Sequence, residues 1–230
     1  MKNTQRFKSK LESRVKQSSA LYSIATWMLR MKTLLSRGVK VENHGNGFVK
    51  KDVIGKNNFV YVGKNTMVDK TRIRIRGDNN KILIGEGCKI RKKCSFWIQG
   101  DGCSIIIGNN VTMQHANHFN CSENNRKITV GDDCMISNNL IVRTSDGHGI
   151  FDMETKKRLN MARDVNIGKH VWIAPNSRIM KGVTIDDGAI VGSNTLVTKN
   201  IPSNCLAVGM PARIVKENIF WNSSIKLAEE

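Results

Sequence analysis

The hydrophobic pattern of the chain repeats every six residues in its C-terminal half. An aliphatic residue stands at every sixth position, and a small or β-branched residue follows four positions later. The aliphatic series is Ile167, Ile173, Ile179, Ile185, Val191 and Val197, and the second series is Val171, Ser177, Val183, Ala189 and Thr195. Neither a helix (period 3.6) nor a strand (period 2) produces this spacing alone. The pattern predicts stacked coils with three flat faces, in which the aliphatic side chains point inward.

Weaker copies of the same pattern lie upstream and explain three of the six cysteines. The upstream aliphatic or aromatic positions are Val62, Val68, Ile84, Ile90, Phe96, Ile107, Met113, Val130, Ile136 and Val142. Cys88, Cys94 and Cys134 occupy the small position of these copies. No cysteine pair has the C-x-x-C spacing of a zinc ribbon or a redox motif. We therefore expect reduced thiols that pack in the core.

One interval between coils is too long for the repeat. Coils that start at 62, 84, 107 and 130 follow one another at 22 or 23 residues, whereas the next start, at 167, comes 37 residues later. An 18-residue coil leaves 37 − 18 = 19 residues over, which predicts an excursion within 143–166. Loops that leave a rigid repeat usually carry function.

The two ends of the chain lack the six-residue period. Apolar residues at helical spacing before residue 40 predict an amphipathic N-terminal helix, and the tail after Pro211 is expected to form a short helix over the last coil. The predicted division is a basic helical segment at 1–40, a β-solenoid at 41–210 and a capping segment at 211–230. The predicted fold class is mainly β.

The charge of the chain is strongly positive and uneven. Lys and Arg number 37 against 19 acidic residues, a net charge of +18, and residues 1–40 hold ten basic side chains against Glu12. Such a field attracts nucleic acid, anionic lipid or a phosphate-rich ligand. The longest apolar run, at 20–29, is too short and too interrupted to span a membrane, and no signal-peptide cleavage site follows it. We expect a cytoplasmic protein.

Four motifs in the C-terminal half resemble a known family. They are Val171-Trp-Ile-Ala-Pro, Lys181-Gly-Val-Thr-Ile, Val197-Thr-Lys-Asn-Ile-Pro202 and Gly209-Met-Pro-Ala-Arg213. With the hexapeptide period, they resemble the left-handed parallel β-helix acyltransferases, in particular the sugar O-acetyltransferases. The loop Ser145-Asp-x-His148…Asp152 is similar to the branch that acts on polysaccharide building blocks.

This resemblance implies an acetyl-CoA donor, a sugar hydroxyl acceptor in surface polysaccharide biosynthesis, and a homotrimer with active sites at its subunit interfaces. No metal is expected. His148 corresponds to the general base, 24 residues before Trp172 as in the family, and Asp146 or Asp152 is expected to hold its ring. The expected donor contacts are Trp172, Ala174, Ser193, Thr198, Lys199, Arg213 and Lys216, and the expected acceptor contacts are Asn117 and Asn120.

Three other functions remain open at this point. An N-acetyltransferase acting on an amino-sugar nucleotide would use the same base. A zinc hydratase would draw its ligands from His115, His118, His148 and His170. A basic scaffold would bind nucleic acid through the cations between Lys70 and Lys93, but few aromatic residues lie among them, so we expect no nucleic-acid partner.

The basic helix at 1–40 has two interpretations. It docks on anionic lipid at the inner face of the membrane, or it packs on the trimer with a solvated outer face.

Overall fold

The protein is a parallel β-solenoid. Its computed structural model describes residues 38–224, which contain twenty-one strands and no helix. The strands are β1 (Val39–Asn43), β2 (Asn46–Ile54), β3 (Asn58–Val62), β4 (Met67–Arg76), β5 (Lys81–Ile84), β6 (Lys89–Ile90), β7 (Ser95–Gln99), β8 (Ser104–Ile107), β9 (Thr112–Met113), β10 (His118–Ser122), β11 (Lys127–Val130), β12 (Met135–Ile136), β13 (Ile141–Arg143), β14 (Val165–Ile167), β15 (Trp172–Ile173), β16 (Arg178–Ile179), β17 (Thr184–Ile185), β18 (Ile190–Val191), β19 (Leu196–Val197), β20 (Leu206–Val208) and β21 (Arg213–Lys216).

The strands form the three faces of a prism. Face one is a seven-stranded sheet in the order β1, β3, β5, β8, β11, β14 and β17. A fourteen-stranded sheet covers the other two faces because β4 turns a corner. The first residues of β4 pair with β6, and residues 72–76 of the same strand pair with β7. Face two continues through β9, β12, β15, β18 and β20, and face three through β10, β13, β16 and β19.

The core of the prism is the aliphatic ladder that the sequence predicts. From Ile167 to Val197, every sixth residue is at most 2% exposed. Burial of one such side chain contributes about 1.5–3 kcal/mol, so the ladder is the main source of stability. All six cysteines are free and buried, as predicted. Thiols fit the small position because a cysteine behaves there as a small apolar residue.

The excursion leaves the solenoid where the long interval predicts it. Strand β13 ends face three at Arg143, and the chain returns to face one at β14, which begins at Val165. Residues 144–164 therefore protrude from the corner between faces three and one. Within them, Phe151 and Arg158 form an isolated antiparallel bridge, which closes a small hairpin.

The predicted C-terminal helix is wrong over the residues that the structure describes. Arg213–Lys216 form strand β21, which pairs antiparallel with β20. The last coil exposes an edge whose backbone N–H and C=O groups need partners, and a returning strand satisfies them where a helix cannot. Residues 225–230 lie outside the described part of the chain.

The predicted N-terminal helix lies almost entirely outside the described residues, which begin at Gly38. The first strand starts at Val39, two residues before the expected start of the solenoid at 41. Between residues 38 and 224, no helix is long and apolar enough to cross a membrane.

Candidate active site

His148 lies on the excursion, at the rim of a pocket of 340 Å³. Its side chain is exposed, and Gly147 before it has a φ of +88°, a conformation that glycine adopts without strain. We call this space the His148 pocket. It is lined by Gln99, Ser122, Glu123, Ser145, Gly147, His148, Gly149, Phe151 and Arg158. Strands β7 and β10 therefore supply its floor, and the excursion supplies its walls.

Asn160 fixes the backbone on both sides of His148. Its side-chain Nδ2 donates to the His148 main-chain oxygen at 2.8 Å, and its Oδ1 accepts from the Ile150 N–H at 2.7 Å. The residue is only 8% exposed, so water competes little for these bonds. These two bonds hold the main chain at His148 in one position.

Asp146 is paired with Lys181, not with the His148 ring. Its carboxylate accepts a short hydrogen bond from the Lys181 Nζ and another, at 2.8 Å, from the Asn160 Nδ2. The Lys181 ammonium lowers the pKa of the Asp146 carboxyl, and the Asn160 bond lowers it further. Lys181 follows β16, so this ion pair ties the excursion to the next coil.

Asp152 also differs from expectation, because it builds a turn. Its Oδ1 accepts from the Thr155 N–H at 2.7 Å and from the Thr155 hydroxyl at 2.8 Å. These bonds, led by the Thr155 N–H, lower the pKa of the Asp152 carboxyl. In the described structure neither carboxylate bonds to the His148 ring, because Asp146 faces Lys181 and Asn160, and Asp152 faces Thr155.

A half-buried edge of the pocket is an ion pair that the sequence pattern does not signal. Arg158 donates to the Glu123 carboxylate through Nη1 at 2.8 Å and through Nη2 at 2.6 Å. The Ser145 hydroxyl donates to the same carboxylate at 2.6 Å. The Arg158 guanidinium is the main reason that the pKa of Glu123 is lowered. Bidentate pairs of this kind fix geometry as well as charge.

No local sequence pattern signals these contacts. Glu123 and Arg158 are 35 residues apart, and only the closed loop brings them together. Lys181 begins the motif Lys181-Gly-Val-Thr-Ile, and Asn160 lies inside the predicted excursion. We call the set Glu123, Ser145, Asp146, Arg158, Asn160 and Lys181 the loop network.

Most of the expected donor residues lie on face two or at its border, whereas Thr198 and Lys199 follow β19 at the corner between faces three and one. Trp172 is half-buried on face two, and adjacent strands place Ile190, Leu206 and Lys216 beside it in order. Three strand spacings separate Trp172 from Lys216, about 14 Å. The other expected cations and hydroxyls are exposed, namely Ser193, Thr198, Lys199 and Arg213.

Ala174 offers its carbonyl rather than its amide. Its N–H donates to the Val191 oxygen at 2.8 Å within the solenoid ladder. Its oxygen accepts one bond from the Ser177 hydroxyl at 3.1 Å, and a carbonyl has a second lone pair. Among the described residues, the second lone pair of the Ala174 oxygen has no hydrogen-bond partner.

His148 and Trp172 lie on opposite sides of the prism. The excursion protrudes from the corner between faces three and one, whereas Trp172 belongs to face two, which lies across from that corner. One chain therefore does not bring the two side chains together.

The two expected acceptor residues have different environments. Asn117 is fully buried, where its Oδ1 accepts from the Leu140 N–H and its Nδ2 donates to the Gln114 oxygen, both at 2.9 Å. Its assignment as an acceptor contact is therefore wrong, because it stabilises the corner between coils. Asn120 is half-exposed on β10, on the outer surface of face three.

Face three carries cations toward the His148 pocket. Arg72, Ser95, His118, Ile141 and Arg178 form one register column, and Arg74, Trp97, Asn120 and Arg143 form the next. Asp52 pairs with Arg74 at 3.2 Å and with Arg76 at 2.7 Å. The Arg74 guanidinium also lies 5.4 Å from the centre of the Trp97 ring. Gln99 lies at the end of β7 and Ser122 at the end of β10, and both residues line the His148 pocket.

The histidines of the zinc alternative do not form a metal site within residues 38–224, where no three His, Cys, Asp or Glu side chains could hold a metal ion together. The His118 Nδ1 is 2.7 Å from the Ser95 hydroxyl, and the His170 ring stacks on Trp221.

Comparison with known proteins places the chain in a family. The family model for the bacterial transferase hexapeptide (six repeats) matches residues 164–199. The polysialic acid O-acetyltransferase of Neisseria meningitidis is 37% identical over 178 residues, which cover 74% of this chain and 77% of that protein. The polysialic acid O-acetyltransferase of Escherichia coli O1:K1 / APEC is 41% identical over 129 residues, which cover 54% of this chain but only 41% of that protein.

A solved structure agrees with these matches over most of the chain. The polySia-specific acetyltransferase NeuO superimposes with a TM-score of 0.71 at 34% identity, covering 84% of this chain and 92% of that one. These matches confirm the predicted left-handed β-helix fold and the resemblance to the hexapeptide-repeat acyltransferases. The relatives are named for O-acetyl transfer, which favours a hydroxyl acceptor over an amine. The chain therefore belongs to the hexapeptide-repeat O-acetyltransferases.

Proposed function

We propose that this enzyme transfers the acetyl group of acetyl-CoA to a sugar hydroxyl of an acidic surface polysaccharide, with His148 as the general base. The observation that carries the proposal is the placement of an exposed imidazole, on a main chain pinned by Asn160, over a pocket of 340 Å³. A neutral imidazole accepts a proton near neutral pH, which is what an attacking hydroxyl requires.

The chemistry balances with His148 alone as the proton carrier. The imidazole takes the hydroxyl proton while the sugar oxygen attacks the thioester carbonyl carbon. The new C–O bond forms, the C–S bond breaks, and the imidazolium returns the proton to the departing thiolate. The enzyme ends with its base neutral and ready for the next cycle.

The donor side of the proposal rests mainly on face two, with Lys199 at the corner that follows β19 on face three. Exposed Lys199, Arg213 and Lys216 suit the phosphates of the donor, because cations form charge-assisted hydrogen bonds with phosphate oxygens. The half-buried indole of Trp172 suits the acyl arm, and the Ala174 carbonyl suits an arm amide. The residues present fit acetyl-CoA in charge and in order along the solenoid.

The opposite positions of His148 and Trp172 support a site shared by two subunits. If both act on one thioester, Trp172 must come from a neighbouring copy. Repetition of that head-to-tail contact closes a ring when the rotation allows it. We therefore propose a homotrimer, in which each of three equivalent interfaces completes one active site.

The cation columns of face three support an acidic acceptor. Arg72, Arg143 and Arg178 present positive charge on the surface that leads to the His148 pocket. The two relatives described above are named for polysialic acid, a polymer with one carboxylate on each sugar. We propose polysialic acid or a similarly charged polysaccharide as the acceptor class.

The test compares His148→Ala with His115→Ala in the full chain. His115 is also exposed but lines no part of the His148 pocket, so it controls for loss of a surface histidine. We expect His148→Ala to lower kcat about 100-fold or more, while the Kd for acetyl-CoA, measured by calorimetry, changes less than about 2-fold. Full transfer by His148→Ala, or loss of acetyl-CoA binding together with activity, overturns the proposal.

A further inference from the structure

The chain after β21 folds back onto the solenoid beside Trp172. The Ile219 N–H donates to the Asn204 oxygen at 3.0 Å, which anchors the returning segment to the last coil. Two residues later, Trp221 is only 8% exposed, whereas its neighbour Phe220 is 70% exposed. The indole of Trp221 is therefore the part of this segment that packs inward.

Two hydrogen bonds and a ring stack join Trp221 to His170. The Trp221 Nε1–H donates to the His170 main-chain oxygen at 2.7 Å, and the His170 Nε2–H donates to the Trp221 main-chain oxygen at 3.1 Å. The two rings stack with centroids 4.1 Å apart and planes 5° from parallel. Two reciprocal hydrogen bonds and a stack leave the indole a single orientation.

The clamped indole touches Trp172 on its other side. The ring centroids of Trp172 and Trp221 are 6.1 Å apart, and their planes are inclined by 48°. Tilted aromatic pairs at this distance are attractive. Because His170 is two residues before Trp172, one short stretch of backbone carries both partners of Trp221.

We propose that Trp221 is a positioning residue for the donor, which fixes the rotamer of Trp172. The inference rests on the proposed role of Trp172 as the contact for the acyl arm. A half-exposed indole without a neighbour samples several rotamers and loses that freedom when it binds a ligand. Trp221 reduces this entropy loss because it fixes the rotamer before the donor binds.

The test measures acetyl-CoA binding by calorimetry in Trp221→Ala, Trp221→Phe and Phe220→Ala. Ordering one side chain corresponds to about 3- to 10-fold in affinity, so we expect Trp221→Ala to raise Kd and KM for acetyl-CoA by this factor. KM for the acceptor and kcat should change less than about 2-fold. Trp221→Phe retains the stack and should recover most of the affinity. Phe220→Ala, in the same segment, should bind as the wild type does.

A spectroscopic readout separates positioning from general damage. Two indoles at 6.1 Å couple, so the wild type should show a near-ultraviolet circular dichroism signal that Trp221→Phe and Trp172→Phe both abolish. An unchanged Kd in Trp221→Ala, or an equal loss in Phe220→Ala, overturns the inference.

Trp172→Ala distinguishes this inference from the proposed function. With Trp172 absent, the further change Trp221→Ala should add no loss of affinity, because nothing is left to position. If Trp172→Ala binds acetyl-CoA normally, the donor role of Trp172 fails, and the inference fails with it. If Trp172→Ala binds weakly while Trp221→Ala binds normally, only the inference fails.

Discussion

The side-chain amide of Asn160 donates a 2.8 Å hydrogen bond to the main-chain oxygen of His148, twelve residues earlier in the chain. The bond joins the two arms of the excursion across its base. It makes the position of the proposed base depend on a residue that does not itself enter the His148 pocket.

Replacement of Asn160 by alanine is expected to slow transfer without weakening donor binding. The change removes the bonds to His148, Ile150 and Asp146, so the base loses its fixed position. A displacement of about 1 Å costs on the order of 100-fold in rate, so we expect kcat to fall about 10- to 100-fold. Steady-state kinetics and calorimetry with acetyl-CoA measure the two effects. Asn166→Ala, an exposed asparagine on β14, is the control and should retain kcat.

The loop network should make the fold sensitive to acid. The carboxyls of Asp146 and Glu123 both have lowered pKa values, caused first by Lys181 and by Arg158 respectively. A carboxyl whose pKa is lower in the folded state stabilises the fold above its unfolded pKa, about 4, and loses that contribution as the pH falls through the folded value. We expect the melting temperature to drop below about pH 4.

Asp146→Asn tests this origin of the acid sensitivity. The variant should melt lower than the wild type at pH 7, because Lys181 loses its partner, yet the difference should shrink at pH 3. Asp186→Asn, at an exposed carboxylate on another coil, should follow the wild type at both pH values. A constant difference between Asp146→Asn and the wild type from pH 7 to pH 3 contradicts the prediction.

Removal of cations from face three should weaken only the binding of the acidic acceptor. Arg72 and Arg178 are exposed at the two ends of one register column, about 19 Å apart over four strand spacings. We expect the double change Arg72→Gln and Arg178→Gln to raise the acceptor KM about 3- to 10-fold at low salt, with less effect at high salt.

The control for this prediction lies on face one. Lys81 and Lys127 are exposed and occupy one register column there, so Lys81→Gln with Lys127→Gln removes the same charge from a different face. An equal rise in acceptor KM for both double variants would indicate a nonspecific charge effect and would contradict a binding surface on face three.

His148→Ala and Trp172→Ala should restore activity at limiting acetyl-CoA when they share an oligomer. In a coexpressed mixture of His148→Ala and Trp172→Ala, interfaces that pair the intact His148 of one copy with the intact Trp172 of another are complete. Random assembly makes about a quarter of the interfaces complete, so activity should return to about 25%. The activity of each variant expressed alone is the reference value. Failure to recover activity in verified mixed oligomers would place each active site within one chain.

The basic N-terminal segment is expected to contact anionic lipid. Residues 1–40 hold ten basic side chains against Glu12, and a basic amphipathic helix binds at a charged interface. The full chain should co-sediment with vesicles that contain anionic lipid but not with neutral vesicles, whereas a variant lacking residues 1–38 should remain in the supernatant. Equal sedimentation of the two proteins would support the alternative in which the segment packs on the trimer.

The six-residue period was sufficient to predict the solenoid, its core and the position of the excursion. The six-residue spacing alone identifies each inward residue. The burial of Ile173 or Val191 is therefore predictable without knowledge of the residues that pack against it. The contacts of the excursion are different in kind. Arg158 reaches Glu123 from 35 residues away, and nothing in the local pattern of either residue encodes that approach.

Two predictions that the structure contradicts, for Asn117 and for the segment after Pro211, have related causes. Asn117 belongs to a corner, where its amide serves the backbone of the next coil, and sequence alone does not distinguish such an asparagine from a ligand contact. The apolar residues after Pro211 fit a helix as well as a strand. The free edge of β20, a property of the assembled solenoid, selects the strand.

The ion pair between Asp146 and Lys181 has a consequence for synthesis of the protein. Solenoid coils fold by stacking on the coil before them, and a growing chain leaves the ribosome from its N-terminus. The excursion emerges after Glu123 but before Lys181. Arg158 can therefore reach Glu123 first, whereas Asp146 gains its Lys181 partner only when the following coil has emerged. A nascent chain that ends before Lys181 therefore lacks one of the contacts that hold the loop carrying His148.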